Sequence, residues 1–225
     1  MSVLNDPDLE RRLAALHGRS DAQTADMEAQ FSDRPKGGGA AQWPDPDALK
    51  SFLADKLVAL DRDKAEFCYQ LIRAANARRI VEIGTSFGVS TLYLAAAVRD
   101  NLAASGGEGV VIGTEYEPEK AAAARSLFVE AGLSDFIELR EGDLRETLRD
   151  LSGPVDFVLM DIWLPMVAPA LERVGPLLRS GAVIIADNTG RHRADYGALF
   201  AFLAANDFRT LTLPFDGGLE LSVKA

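Results

Sequence analysis

The stretch RRIVEIGTSFGVSTLYLAAAV, from Arg78 to Val98, decides the fold of this chain. It begins as a short apolar segment with strand character, passes through Gly84, Gly88 and small hydroxyl residues, and ends as an apolar tract with helical character. A strand that turns directly into a helix is typical of α/β domains. Such a turn can hold a phosphate, hold a nucleoside, or serve only as a tight bend.

Strand-like and helix-like segments alternate after this stretch. Short segments rich in Val, Ile or Leu follow as GVVIGTE, FIELRE, VDFVLMD and GAVIIAD, and helical patterns separate them at 90–99, 118–131 and 165–178. This alternation predicts an α/β fold with a Rossmann-like, doubly wound and mostly parallel sheet. The last two segments, FRTLTLP and LELSVKA, flank a turn containing two glycines and predict an antiparallel C-terminal hairpin.

The first 45 residues differ from the rest and are expected to form an N-terminal helical extension with a flexible linker. Apolar residues at helical spacing predict two short amphipathic helices, and the stretch Arg34–Asp47, with three glycines and three prolines, is interpreted as a mobile substrate flap. Residues 46–225 are expected to form the main domain.

Charge and cysteine content narrow the function classes. The net charge of -10, from 24 basic and 34 acidic residues, disfavours nucleic acid and anionic membranes as partners. Cys68 is the single cysteine, so it has no mate for a disulfide, and its apolar surroundings predict a buried thiol. The N-terminal sequence has no signal-peptide pattern and no apolar run is long enough to span a membrane, so we expect a cytoplasmic protein.

Polar residues finish the predicted strands. The first strand ends at Gly84, the second at Glu115, the fourth at Asp161 and the fifth at Asp187, and the third runs into Asp143. In a doubly wound sheet, ligands bind outside the carboxyl ends of the strands. We therefore expect the four carboxylates to converge on one edge of the sheet.

The first turn favours a nucleoside over a dinucleotide. The dinucleotide fingerprint needs a glycine where this chain has Ser86, so pyrophosphate binding is disfavoured. The free amides and hydroxyls near Ser90 suit a smaller anion such as a carboxylate, and Glu115 is placed to accept bonds from ribose hydroxyls. The predicted ligand is a nucleoside with a carboxylate tail; the alternative is a tight turn beside a solvated Glu115.

These motifs resemble those of the S-adenosylmethionine (SAM)-dependent O-methyltransferases of class I, in particular the cation-dependent group with catechol and caffeoyl-CoA O-methyltransferases. The resemblance covers about 61–225 and rests on VEIGTSFGVST, EGDLRE, VDFVLMDIW, VIIADN and DGGLELSVK. It implies SAM as cofactor. The cofactor-binding residues that it implies are Gly84, Thr85, Ser86 and Ser90 at the methionine part, Glu115 at the ribose, Asp143, Leu144 and Trp163 at the adenine, and Asp161.

The resemblance also implies a divalent cation, and the residue types agree with it. Asp161, Asp187 and Asn188 are oxygen donors, which suit Mg²⁺ or another divalent cation such as Mn²⁺ or Ca²⁺ better than Zn²⁺. A cation there would bind the substrate oxygen and lower the pKa of the attacking hydroxyl. The alternative is that Asp187 and Asn188 cap the next helix, as in a metal-free methyltransferase.

One position departs from the family pattern. The cation-dependent group usually carries a lysine, its proposed general base, where this chain has Leu164. Proton removal would then depend on the cation, on His192, or on a flap residue such as Lys36, and the candidate catalytic residues are Asp161 and His192. The departure puts a catechol-type substrate in doubt and leaves a non-catalytic SAM-binding module as a further alternative.

The expected activity is therefore methyl transfer from SAM to a hydroxyl of a small molecule. The expected partners are a small hydroxylated substrate and a second copy of the chain in a homodimer, with neither nucleic acid nor membrane.

Overall fold

The computed structural model describes residues 3–31, 52–190 and 193–225, and the side chains of 26–31 are outside this description. The predicted flap with Lys36, the predicted boundary near residue 45 and His192 lie outside the described residues. The strands are β1 Arg79–Ile83, β2 Val110–Glu115, β3 Ile137–Glu141, β4 Val155–Met160, β5 Leu178–Asp187, β6 Phe208–Leu213 and β7 Leu219–Lys224. The α-helices in the described part are α1 Pro7–Phe31, α2 Arg62–Ala75, α3 Val89–Ser105, α4 Pro118–Glu130, α5 Leu144–Thr147, α6 Val167–Val174 and α7 Gly197–Ala205.

The seven strands form one sheet in the order β3-β2-β1-β4-β5-β7-β6. Strands β1 to β5 are parallel, and β7 pairs antiparallel with both β5 and β6. The predicted mostly parallel Rossmann-like sheet with an antiparallel C-terminal hairpin is confirmed. The strand order reverses between β1 and β4, which is where sheets of this class place their ligands.

Two apolar clusters cover the two faces of the sheet because both faces of the central strands are apolar. Neighbouring residues of β1 point to opposite sides: Ile80 packs in one cluster with α2 and α3, and Val81 packs in the other with α6 and α7. Cys68 is fully buried in the first cluster, as expected of a structural thiol. Covering helices on both faces leave the strand ends as the open part of the sheet.

The N-terminal segment forms one continuous helix, so the prediction of two short helices is wrong. A lone glycine at position 18 does not interrupt α1, since one glycine costs a helix only about 1 kcal/mol. Its inner side buries Leu9 and Leu13, and His17 Nε2 lies 3.0 Å from the Tyr93 hydroxyl on α3. Helix α1 is thereby packed onto the main domain.

The helix predicted over 165–178 is shorter than expected. Helix α6 covers Val167–Val174 and is flanked by 3-10 turns at Leu164–Met166 and Gly175–Leu177. Pro165 and Pro176 lie in these turns, and each lacks the amide hydrogen that a helix interior requires. Within the described residues, none of the helices is both long enough and apolar enough to cross a lipid bilayer.

Candidate functional site

The ends of β1 and β4 meet at the point where the strand order reverses. Ile83 is in register with Met160, and the Asp161 amide donates to the Ile83 carbonyl at 3.0 Å. Gly84 has φ +99°, and a Cβ added there would lie 2.1 Å from the Asp161 carbonyl oxygen. Only glycine fits this turn, because both the backbone conformation and the close approach exclude a side chain.

A buried carboxylate organises the loop that follows Gly84. Glu82 accepts hydrogen bonds from the hydroxyls of Thr85 at 2.8 Å and Ser90 at 2.7 Å, and from Thr91. Burial raises the pKa of Glu82, although these hydroxyl donors counteract the rise. The hydroxyl hydrogens of Thr85 and Ser90 are therefore directed to Glu82, and the contribution of these residues to a ligand must come mainly from backbone groups and hydroxyl lone pairs.

Glu115 at the end of β2 is held in place by backbone amides. Its Oε2 accepts from the Ser86 amide and its Oε1 from the Glu117 amide, each at 2.7 Å. Ser86 has φ +52°, the left-handed conformation that turns its amide toward this carboxylate. Each oxygen retains a further lone pair for a ligand hydroxyl, so Glu115 is a pre-oriented acceptor beside the glycine turn.

Asp143, Leu144 and Trp163 border the neighbouring strand ends. Asp143 caps α5 by accepting from the Arg145 amide at 2.9 Å, and the Arg145 side chain together with this amide lowers the pKa of Asp143 to about 2. Leu144 is buried. Trp163 follows β4 with 42% of its surface exposed, so its indole is available to a ligand and is not part of the core.

The carboxylates of Asp161 and Asp187 lie at adjacent strand ends. Met160 and Ala186 are in register, which places the next residue of each strand side by side at the edge. Burial and the negative charge of Asp187 raise the pKa of Asp161 to about 7. Burial also raises the pKa of Asp187, so the two acids form a like-charge pair at this edge.

Lys64 adds a positive charge that the sequence reasoning missed. Its side chain is 2% exposed, and its Nζ lies 2.7 Å from Asp61 Oδ2 and 2.7 Å from Asp187 Oδ1. Burial lowers the pKa of Lys64, but the bonds to Asp187 and Asp61 outweigh this effect and leave the pKa above its ordinary value. The sequence signal was a lysine in the first turn of a helix, on the same face as Phe67, Cys68 and Leu71.

The residues present suit a divalent cation in their chemistry. Asp161, Asp187 and Asn188 offer hard oxygens, and three carboxylates including Asp61 outnumber the single charge of Lys64. In the described part of the chain, no three His, Cys, Asp or Glu side chains alone form a cation-binding group, so Asn188 would have to be the third donor. Asn188 donates its Nδ2 to Asp187 Oδ2 at 2.9 Å, and a cation would need its oxygen instead.

A segment before α2 forms one wall of a narrow cleft beside the glycine turn, with a free volume of about 10 Å³. Leu57, Val58, Ala59 and Leu60 line it together with 84–87, Ser90 and Asp161. The Leu57 amide donates to Gln23 Oε1 at 2.7 Å and the Ala59 amide to Ser20 Oγ at 3.0 Å, so side chains of α1 hold this wall. Sequence reasoning did not assign these four residues to the site.

The position of the expected lysine base is apolar. Leu164 lies in the 3-10 turn after Trp163 and packs against the cluster on the α6 and α7 face of the sheet. The Tyr196 hydroxyl, which lies near both acids, donates to the Asp187 carbonyl at 2.8 Å and is used structurally. The site thus brings Gly84, Asp161 and Asp187 together beside the turn that holds Glu115, with Asp143 at the next strand end, while the role of His192 stays a prediction.

Comparison with known proteins shows similarity to methyltransferases. Residues 81–189 match a family model described as a methyltransferase domain. A catechol O-methyltransferase from Mycobacterium tuberculosis is 35% identical over 135 residues, covering 60% of this chain and 58% of that protein. A catechol O-methyltransferase from Niastella koreensis is 30% identical over 138 residues, with 60% and 59% coverage. The chain therefore matches less than two thirds of the length of these relatives.

Solved structures show the same fold. The O-methyltransferase from Bacillus cereus was solved in complex with S-adenosylhomocysteine (SAH). It superposes on this chain with a TM-score of 0.67 at 22% identity, and the match covers 88% of this chain and 97% of the Bacillus chain. The predicted resemblance to the SAM-dependent O-methyltransferases is confirmed by these comparisons together.

Proposed function

We propose that this chain, whose residues 81–189 match a methyltransferase domain, transfers a methyl group from SAM to a hydroxyl of a small molecule with the help of a divalent cation. The observation that carries the proposal is the single edge at which Gly84, Glu115, Asp161 and Asp187 meet. Curated relatives named catechol O-methyltransferase support the reaction class.

The chain's own residues would bind and orient the methyl donor. Glu115 accepts the ribose hydroxyls, because its carboxylate is already fixed by two amides. The backbone near Ser86 and Ser90 and the carboxylate of Asp161 receive the methionine part, and Trp163 packs on the adenine beside Asp143 and Leu144. Holding donor and acceptor in line is a large part of the catalysis of such a transfer.

Activation of the acceptor is assigned to the acids at the sheet edge. Asp161, Asp187 and Asn188 would hold Mg²⁺ or another divalent cation such as Mn²⁺ or Ca²⁺, which supplies a Lewis acid that makes the acceptor hydroxyl more acidic. Leu164 cannot take a proton, so proton removal would depend on the cation itself, on His192 or on a flap residue such as Lys36, and Asp161 would take part by holding the cation. A small hydroxylated molecule is the acceptor class that such a site suits.

Calorimetry tests the donor. SAM and its demethylated product S-adenosylhomocysteine (SAH) should bind, and NAD should not, since Ser86 replaces the glycine that a pyrophosphate requires. Binding of NAD together with failure of both S-adenosyl compounds would refute the assignment. Binding of SAH without turnover of any hydroxylated acceptor would instead favour a non-catalytic SAM-binding module, and cation-independent turnover would favour a metal-free methyltransferase.

The adenine contact can be tested at Trp163. We expect Trp163→Ala to raise the dissociation constant of SAH with little change in melting temperature, because the indole is half-exposed and contributes little to the core. Stacking on an aromatic side chain contributes roughly 1–3 kcal/mol per base. Leu211→Ala, at an exposed position of β6, is the matched control. Normal SAH affinity combined with a lower melting temperature would assign Trp163 to the fold.

The proposal includes a cytoplasmic homodimer that acts on a small molecule and not on nucleic acid or membranes. The net charge of -10 supports the exclusion of polyanions, since it repels them at long range. Light scattering that returns the mass of one chain would contradict the homodimer.

A further inference from the structure

The proposed reaction does not use Lys64, and the placement of this residue is costly. It is buried within the first turn of α2, where the helix dipole disfavours a positive charge. Replacing a buried ion pair by apolar residues is often neutral or stabilising, so stability alone does not explain an ammonium group here. The cost indicates that Lys64 has a role in the site.

Lys64 joins two parts of the site that are far apart in the chain. Its bond to Asp187 ties the start of α2 to the end of β5, across 123 positions of sequence. Its bond to Asp61 fixes the residue that directly follows the pocket wall, Leu57–Leu60. A single ammonium group therefore connects the candidate cation edge to the wall of the cofactor pocket.

Both oxygens of Asp187 are directed by this arrangement. Oδ1 faces Lys64 at 2.7 Å and Oδ2 receives the Asn188 amide at 2.9 Å, so the carboxylate has one fixed orientation. Hydrogen-bond partners such as Lys64, which need not touch a ligand themselves, orient the residues that do.

We propose that Lys64 is a positioning residue, which holds the wall 57–60 against the glycine turn by bridging Asp61 to Asp187 and thereby sets the affinity for the methyl donor. The proposal rests on the proposed function, because it takes the pocket between this wall and 84–90 as the site of an S-adenosyl compound. The amides of Leu57 and Ala59 are held independently, by Gln23 and Ser20 of α1. Lys64 is thus the group that anchors Asp61, directly after the wall, to the strand end at Asp187.

The test measures SAH and SAM affinity by calorimetry in EDTA, so that no cation contributes. Lys64→Met should weaken SAH binding by about tenfold, the effect of losing one hydrogen bond to a charged group. Asp61→Asn weakens the same bridge but leaves the Lys64–Asp187 pair, so it should lower the affinity in the same direction while the protein stays folded. Lys64→Arg should restore most of the binding, since it keeps a charged donor.

The control is Lys224→Met, which removes a bond of Lys224 Nζ to the Leu178 carbonyl at 2.9 Å, at the opposite end of β5. It should leave SAH affinity unchanged. Comparison of SAM with SAH separates a positioning role of Lys64 from a purely electrostatic one. If Lys64 positions the wall, its removal weakens the binding of both ligands equally. If Lys64 acts only through its charge, its removal strengthens the binding of the cationic SAM relative to SAH.

The outcomes are distinguishable. A wild-type protein that binds neither SAM nor SAH refutes the proposed function itself. A wild-type protein that binds SAH, with Lys64→Met and Asp61→Asn binding equally well, overturns the positioning role of Lys64 alone. Tighter SAM binding by Lys64→Met with unchanged SAH binding also overturns it.

Discussion

Asp187→Ala is expected to abolish cation-dependent methyl transfer, with a loss of at least about a hundredfold in turnover. Asp187 ends β5 beside Asp161, and it is the acid that Lys64 and Asn188 hold in one orientation. Its removal takes away a donor from the cation and one end of the Lys64 bridge, but leaves the SAM contacts on β1 and β2 in place. SAH affinity should therefore fall about as much as in Lys64→Met and far less than turnover, measured by calorimetry and by a methyl-transfer assay with an identified acceptor.

A companion variant separates chemistry from folding. Asp187→Ala leaves Lys64 with Asp61 as its remaining acidic partner, and breaking a buried pair in this way can cost about 3–5 kcal/mol of stability. Asp187→Asn keeps a hydrogen-bond acceptor for Lys64 but removes the charge, so it should fold and still lack turnover. Asp150→Ala, at an exposed carboxylate, is the control. Full turnover in excess EDTA, with no metal found by elemental analysis, would show that Asp187 and Asn188 serve the structure and not a cation.

Glu115→Ala is expected to weaken SAM and SAH binding by roughly 1.5–3 kcal/mol, the scale of hydrogen bonds to a charged group. This corresponds to about a ten- to hundredfold higher dissociation constant. The variant also frees the amides of Ser86 and Glu117, so the glycine turn loses its support from β2.

The neighbouring strand supplies the control for this prediction. Glu141 is in register with Glu115 but pairs with Arg125 at the surface, so Glu141→Ala should bind SAH normally. Unchanged calorimetric affinity in Glu115→Ala would remove the ribose contact from the proposal.

Much of the fold was predictable from local patterns. The strand limits found from runs of Val, Ile and Leu agree closely with β1, β2 and β4, because a strand buried on both faces must be apolar along its length. Strand β5 begins three residues earlier than its apolar run, and the more exposed β3, β6 and β7 carry polar residues between the apolar ones. The helical elements were less predictable. Helix α1 continues through Gly18, and the prolines shorten α6, since tertiary packing and the loss of amide donors decide helix limits that periodicity leaves open.

Part of the candidate site could also be predicted from the sequence. Gly84, Glu115, Asp143, Asp161 and Asp187 could be placed at one edge because parallel strands end on the same side of a sheet. Their partners could not be predicted. The pattern gives no sign that the hydroxyls of Thr85 and Ser90 are directed to Glu82, because hydrogen bonds depend on side-chain direction and not on spacing alone.

By itself, the sequence determined the parallel sheet, the glycine turn and the row of acids at the strand ends, since these depend on apolar periodicity and on conformations that are local to the chain. Only the tertiary structure placed Lys64 between Asp61 and Asp187. It also placed the wall 57–60 beside the glycine turn, where the side chains of Ser20 and Gln23 accept hydrogen bonds from the wall. The reason is physical. A contact across 123 residues exists only once the sheet has brought β5 to the start of α2, and no local pattern encodes that distance.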